Sequence, residues 1–183
     1  MSISILLLLI LSVLNFLSFS WGVRGHFQMG NGMPLPMKIL SACSIVFYGI
    51  FLVCLRSVHS GPWVLGMVIF LFIAALALFW WTIATTRRNR PDVAHHEAPP
   101  HQIYRNGPYR IVRHPFYLAY ILFWIGTALS VGALQWFGAL LFTVWYGVLA
   151  YQEERRFIES DLGDIYADYQ KKSWMLFPVP WLK

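Results

Sequence analysis

The chain has 183 residues, of which 58% are hydrophobic and only 12% charged, and its formal net charge is +6. Ordinary globular domains carry about 25% charged residues, so a soluble globular enzyme is excluded and a membrane protein is expected. The basic residues stand beside apolar segments, which speaks for anionic lipid headgroups and topology control and against a nucleic-acid partner.

A membrane-crossing helix needs about 20 mostly apolar residues. Five segments meet or approach that length: 3–21, 38–55, 63–83, 117–134 and 136–152. The first has no basic leader and no convincing small-residue cleavage site, so it is expected to stay as a span and not to be cut as a signal peptide. The second contains both cysteines, Cys43 and Cys54, which lack metal-ligand spacing and are expected to behave as small buried hydrophobes. The fourth and fifth are joined by the uncharged stretch Ser130 to Gln135, the mark of a tight helical hairpin, with Gly126, Gly132, Gly138 and Gly147 permitting close helix approach there. Nine tryptophans, many near the predicted boundaries, suit interfacial anchoring. The expected fold is all-α: an integral membrane helical bundle of about five transmembrane helices, forming one membrane domain over 1–183 with no internal repeat.

Between the third and fourth spans lie Arg87, Arg88, Arg90, Arg105, Arg110 and Arg113, and the tail carries Arg155, Arg156, Lys171, Lys172 and Lys183. The connection near Ser57–Pro62 has only Arg56 at its edge. The positive-inside rule then puts the 84–116 segment and the tail in the cytosol and the N-terminus outside, as for a multi-pass protein of a bacterial cytoplasmic membrane.

Segment 84–116 is polar and helix-breaking, with Pro91, His95, His96, Pro99, Pro100 and His101, and its plain reading is a connecting loop. Within it, Pro108 and Pro115 bracket a short rigid piece. Pro115 suits the first turn of the fourth helix, which sets His114 near a helix N-terminus, where N–H groups favour anionic ligand groups. In the tail, Glu153-Glu154-Arg155-Arg156-Phe157 precedes a stretch with Tyr166 and Tyr169 on one face, expected to be an amphipathic interfacial helix continuing the fifth span.

Four histidines, His95, His96, His101 and His114, lack the cysteine or acidic partners of a recognisable ligand set, so no metal is expected. A phosphate-binding glycine loop and a Ser-His-Asp arrangement are equally unsupported. For Arg113 and His114 the plain alternative is topology control with an interfacial histidine. For Glu153 and Glu154 it is an exposed pairing with Arg113 or Arg110, which contributes little. Their joint placement argues for more. A hairpin between the fourth and fifth spans sets the Arg113–Tyr117 end beside the Glu153–Glu154 end, making one polar pocket roofed by 84–112 and the tail.

The ordered residues Gly107, Tyr109, Arg113, His114, Pro115 and Tyr117, then the hairpin, the Glu-Glu pair, Gly163, Tyr166 and Tyr169, and the Leu176-Phe177-Pro178 tail resemble the isoprenylcysteine carboxyl methyltransferase family and related phospholipid methyltransferases. The resemblance spans His101 to Tyr169 and the tail. It implies a membrane-embedded methyltransferase that uses S-adenosyl-L-methionine from the cytosol, with 95–183 as its cofactor-binding half. The cofactor residues it implies are His101, Gln102, Ile103, Tyr104, Tyr109, His114, Pro115, Phe116 and Tyr117, with Glu153 or Glu154. Arg113, Glu153 and Glu154 are the implied catalytic residues.

Members acting on prenylcysteine carry an arginine four residues before the key glutamate. That position is Leu149 or Ala150 here, depending on which glutamate corresponds; Phe157 favours Glu153, and Leu162-Gly163 favours Glu154. Arg113 and Arg156 are the candidates to substitute. The acceptor expected is a lipid or small lipophilic or amphipathic molecule bearing a carboxylate or an amine. Two other readings stand beside this one: an NADPH-dependent membrane enzyme resembling the sterol reductases, through a similar Arg-His-x-x-Tyr segment, and a non-catalytic membrane scaffold or sensor.

Overall fold

Proline opens three of the long helices of this protein, whose computed structural model describes residues 3–28, 32–55, 61–91 and 102–177. Five apolar helices form the body: α1 (Ile3–Gly25), α2 (Leu35–Cys54), α3 (Pro62–Thr86), α4 (Pro115–Val131) and α5 (Ala133–Ile158). Pro36, Pro62 and Pro115 fall in first turns, where the missing N–H has no intrahelical partner to lose. Four of the five are long and apolar enough to cross a membrane, and α4, with 17 residues, is a shorter apolar helix. A 3-10 turn (Gly107–Arg110) and a short helix α6 (Gly163–Gln170) complete the described elements.

The expected hairpin is present, and its break falls at Gly132, the single residue between α4 and α5, inside the Ser130 to Gln135 link. Gly132 has φ +96° and ψ −150°, a conformation open in practice only to glycine, so the backbone reverses there. The glycines also act on other partners than expected. A Cβ on Gly126 would come within 2.7 Å of the Phe72 ring of α3, and one on Gly138 would strike Phe47 of α2. Gly147 has open space beside it.

The helix after the fifth span is a separate element. α5 runs on to Ile158, and the chain then turns through Ser160, whose carbonyl accepts from Gly163 N at 2.9 Å. α6 folds back so that Tyr166 stacks on Phe157 with ring centroids 4.6 Å apart.

Packing is aromatic at the centre. Phe51, Phe72, Phe79, Phe123 and Phe142 are fully buried, while Leu17, Ile45, Val53, Phe70 and Leu140 face outward, as a lipid environment allows. Buried polar side chains tie helices together: Asn15 Nδ2 donates to Phe72 O at 3.0 Å, Ser12 meets the Tyr48 hydroxyl at 3.3 Å, and Gln135 Nε2 donates to Phe47 O at 3.2 Å.

The ends of α1, α3 and α5 and the starts of α2 and α4 gather at one end of the bundle. His26 meets Thr86 there, Phe27 packs on Phe116, and Arg113 reaches Glu154.

Candidate active site

The site begins with a glycine. Gly107 has φ +57°, and a Cβ on it would strike Thr85 Oγ1, so the 3-10 turn closes against α3 only with hydrogen at this position. The turn buries Pro108 and Tyr109. The following residues pair with the tail as one parallel bridge, Val112 with Trp174. Arg113 N donates to Trp174 O at 2.7 Å, His114 N to Met175 O at 3.1 Å, and Trp174 N to Ile111 O at 3.1 Å. These main-chain bonds hold the Arg-His-Pro segment from outside before any side chain acts.

The side chains then converge. Arg113 Nε and Nη2 donate to Glu154 Oε1 and Oε2 at 2.7 and 3.1 Å, a bidentate pair of which each side chain is only 10% exposed. Its Nη1 donates to the carbonyls of Gln170 and Ser173. Gln170 Nε2 donates to Glu154 Oε2 at 2.7 Å, and His114 Nε2 lies 3.2 Å from Glu154 Oε1. The exposed surface pair that would contribute little is therefore replaced by a buried network.

Glu153 is the neighbour with a different task. Consecutive residues on a helix point about 100° apart, and Glu153 turns toward a cavity of about 510 Å³ while Glu154 does not belong to its wall. The Tyr117 hydroxyl donates to Glu153 Oε1, and His114 Nδ1 lies 3.5 Å from its Oε2. Burial pushes the His114 pKa down, but its contacts with Glu153 and then Glu154 outweigh this, and it stands above the ordinary histidine value. An imidazolium bridging two carboxylates fits that balance. The rings of His114, Tyr117 and Tyr146 stack in succession, with centroids 5.5 and 5.4 Å apart.

Of the residues expected from sequence, Gln102, Ile103, Tyr104, Tyr109, Arg113, His114, Pro115, Phe116, Tyr117 and Glu153 all line this cavity. His101 lies outside the described residues, as do His95, His96 and Pro178. Tyr104 stacks on Tyr109 at 5.2 Å and donates its hydroxyl to Asn89 O at 3.0 Å. The Tyr169 hydroxyl donates to Tyr109 O at 2.6 Å, and burial first of all pushes its pKa up to about 12. Leu149, at one candidate position for the substrate arginine, is buried in the cavity wall, and Ala150, at the other, is buried outside it.

Sequence reasoning missed a whole wall. Phe16, Phe19, Ser20, Val23 and Phe27 of the α1 side line the cavity, with Met37, Leu40, Ser41 and Ser44 of α2 opposite. The signal was present as a three- and four-residue spacing on each helix, but uniform hydropathy masks it, because lipid-facing and cavity-facing residues are equally apolar. Gln170 and Ser173 carried no signal at all.

The sequence model of the isoprenylcysteine carboxyl methyltransferase (ICMT) family matches residues 67–159, which take in most of α3, the Arg-His-Pro segment and both glutamates. The chain is 29% identical over 135 residues to a protein named methanethiol S-methyltransferase from Pseudomonas sp. (strain GM41(2012)). That match covers 65% of this chain and 48% of the relative, so the chain spans about half the length of the curated relative it matches. No solved structure matches it.

Proposed function

This chain belongs to the isoprenylcysteine carboxyl methyltransferase family, and on that premise we propose that it is a membrane-embedded methyltransferase using S-adenosyl-L-methionine to methylate a small lipophilic or amphipathic acceptor. The observation that carries the reading is the pairing of Glu153, held by Tyr117 and His114, with a cavity that reaches into the bundle among aromatic and aliphatic side chains and also carries Arg24, Lys38, Arg113 and Arg156. The volume of about 510 Å³ lies within the range usual for small-molecule sites.

The lining suits this cofactor. Its sulfonium and amino group are cationic, and Glu153 supplies a carboxylate for them in the cavity wall. Gln102, Ile103, Tyr104 and Tyr109 provide the opposite wall for the adenosine part. When bound, S-adenosyl-L-methionine supplies an electrophilic methyl group that needs no metal. Glu154 and Arg113 act at one remove: they anchor His114 and the tail so that Glu153 and Tyr117 keep their geometry. The protein's contribution is alignment in a site sheltered from water, an effect that can reach roughly 7–11 kcal/mol.

The Arg-rich end faces the cytosol of a bacterial cell, and the N-terminus lies on the other side of its cytoplasmic membrane. Leu149 and Ala150 stand where a substrate arginine would and Arg113 is committed to Glu154, while Arg24, Lys38 and Arg156 also line the cavity and supply positive charge that a carboxylate could use. The name of the Pseudomonas relative supports a thiol instead.

Calorimetry in detergent with S-adenosylmethionine, S-adenosylhomocysteine and NADPH tests the reading. Binding of the first two, weakened more than about tenfold by His114→Ala and by Glu153→Ala, is the expected outcome. Binding of NADPH alone overturns it in favour of a reductase.

A further inference from the structure

Helices adjacent in sequence usually pack on each other, but α1 and α2 have little backbone contact, α1 lying on α3 and α2 on α5. Side chains pin their seam at one level, where the Tyr48 ring stacks on Phe16 at 4.1 Å and its hydroxyl meets Ser12 at 3.3 Å. From there toward the Glu153 end, the two helices enclose a lobe of the cavity. Phe19 and Val23 of α1 and Leu40 and Ile45 of α2 give it an apolar wall. The lobe rises roughly 12–15 Å from Phe16 and Tyr48 to the level of Arg24 and Lys38.

Four polar side chains rim it. Arg24 and Ser20 stand one turn apart on α1, and Lys38 and Ser41 one turn apart on α2, all in the cavity wall. None of these four side chains has a hydrogen-bond or ion-pair partner among the described residues. The other cations of the wall are placed differently: Arg113 is bound to Glu154, and Arg156 follows Glu153 by about one turn on α5. The plain role of Arg24 and Lys38 is interfacial anchoring, in which a basic side chain faces headgroups and water. Anchoring explains neither the serines behind them nor the placing of two cations from different helices on one cavity. Two like charges in one wall repel, and an anion held by both reverses the sign. Below the rim the lobe carries no further charge, and the Ser44 hydroxyl donates to Leu40 O at 2.8 Å within its own helix. A ligand filling it is therefore hydrocarbon beneath an anionic head, and a lobe that narrows to a pinned seam fits one chain.

We propose that this lobe binds an anionic single-chain amphiphile. Arg24, Lys38, Ser20 and Ser41 hold its head group, and its chain runs between α1 and α2 down to Phe16 and Tyr48. The head then lies at the same end of the bundle as Glu153. This site stands apart from the methyl-transfer reading and adds no step to it.

Calorimetry on the full-length chain in a nonionic detergent tests this, with decanoate, decanol, decyltrimethylammonium and butanoate as probes. Decanoate should bind at least about tenfold more tightly than the other three. Arg24→Gln with Lys38→Gln should weaken decanoate by about tenfold or more, and Ser20→Ala with Ser41→Ala by about threefold, at unchanged Tm. Arg87→Gln with Arg88→Gln, at the same end of the bundle but outside the cavity, should shift it less than about twofold. Equal weakening by this control reduces the effect to general surface charge and overturns the site. Decanoate that fails to bind, or binds the Arg24/Lys38 variant unchanged, overturns it too, as does decanol or decyltrimethylammonium binding equally well. Butanoate matching decanoate overturns the role of the lobe. Displacement of decanoate by an equal concentration of dioleoylphosphatidylglycerol overturns the single chain. The Kd of S-adenosylhomocysteine should move less than about twofold in the Arg24/Lys38 variant. A loss there as large as that for decanoate assigns both cations to the cofactor's own carboxylate and overturns the amphiphile. A wild type that binds decanoate but not S-adenosylhomocysteine overturns the proposed function alone.

Discussion

Arg113 grips both carboxylate oxygens of Glu154, at 2.7 and 3.1 Å, and so joins the start of α4 to the far end of α5. The same guanidinium reaches the carbonyls of Gln170 and Ser173, drawing the tail onto the pair. Three segments distant in sequence thus meet at one cation, and its partner carboxylate is the member they cannot spare.

Glu154→Ala leaves the Arg113 charge buried and uncompensated. Breaking a buried pair from one side costs about 3–5 kcal/mol, so a large fall in Tm in detergent is expected. Glu153→Ala should lower Tm far less, because its side chain is 28% exposed and its loss strands no buried arginine, yet it should abolish tight cofactor binding. Equal thermal effects from the two variants would show that the two neighbours are not divided in this way.

Gly107→Ala meets two obstacles, the left-handed backbone at φ +57° and the Thr85 side chain. The conformational part alone costs about 1–2 kcal/mol. Adding Thr85→Ala should recover the steric part and leave the conformational part, so the double variant should melt between the single variant and the wild type. Full recovery would show that the backbone strain is negligible.

Tyr169→Phe deletes the 2.6 Å bond to Tyr109 O and leaves a buried carbonyl unpaired. The expected loss is about 1–3 kcal/mol, measured as a lower Tm, with weaker S-adenosylhomocysteine binding because Tyr109 lines the cavity. An unchanged Tm would place no weight on this bond.

His26 governs a pH dependence. It is buried at the end of α1, with Nε2 2.8 Å from Thr86 Oγ1. The Thr86 hydroxyl already donates to Thr82 O at 2.9 Å, so His26 is the donor and carries its proton on Nε2. Burial, and then the charge of Arg90, hold its pKa below 6.5. The unfolded chain therefore binds the extra proton first as pH falls. The stability tied to neutral His26 is complete above 6.5 and declines as pH drops from there through the lower folded value. His114 carries the opposite sign: its raised pKa stabilises at low pH, and that contribution fades as pH climbs through the folded value. His26→Asn should flatten the acid limb of a Tm–pH curve, and an unaltered limb would remove His26 from the account.

Much of this architecture is written in one dimension. Runs of apolar residues set the five helices, since lipid leaves the backbone no other way to satisfy its polar groups, and membership of a recognisable family follows from motif order in the C-terminal half. The meeting of Arg113 and His114 with the Glu153–Glu154 end also followed from sequence, because a short uncharged link forces α4 and α5 into a hairpin. Other features were decided only by packing. Glu153 and Glu154 are chemically identical neighbours, and only the rotation of α5 against α4 and the tail makes one a cavity carboxylate and the other a buried anchor. The turn that folds α6 back and the cavity wall from α1 and α2 depend on which faces meet. That the buried Tyr120 hydroxyl has no hydrogen-bond partner among the described residues was unreadable for the same reason: a hydroxyl counts as unpaired only after every neighbour has been placed. Hydropathy is a property of single residues, whereas burial, pairing and idleness belong to relations among helices, and those exist only in three dimensions.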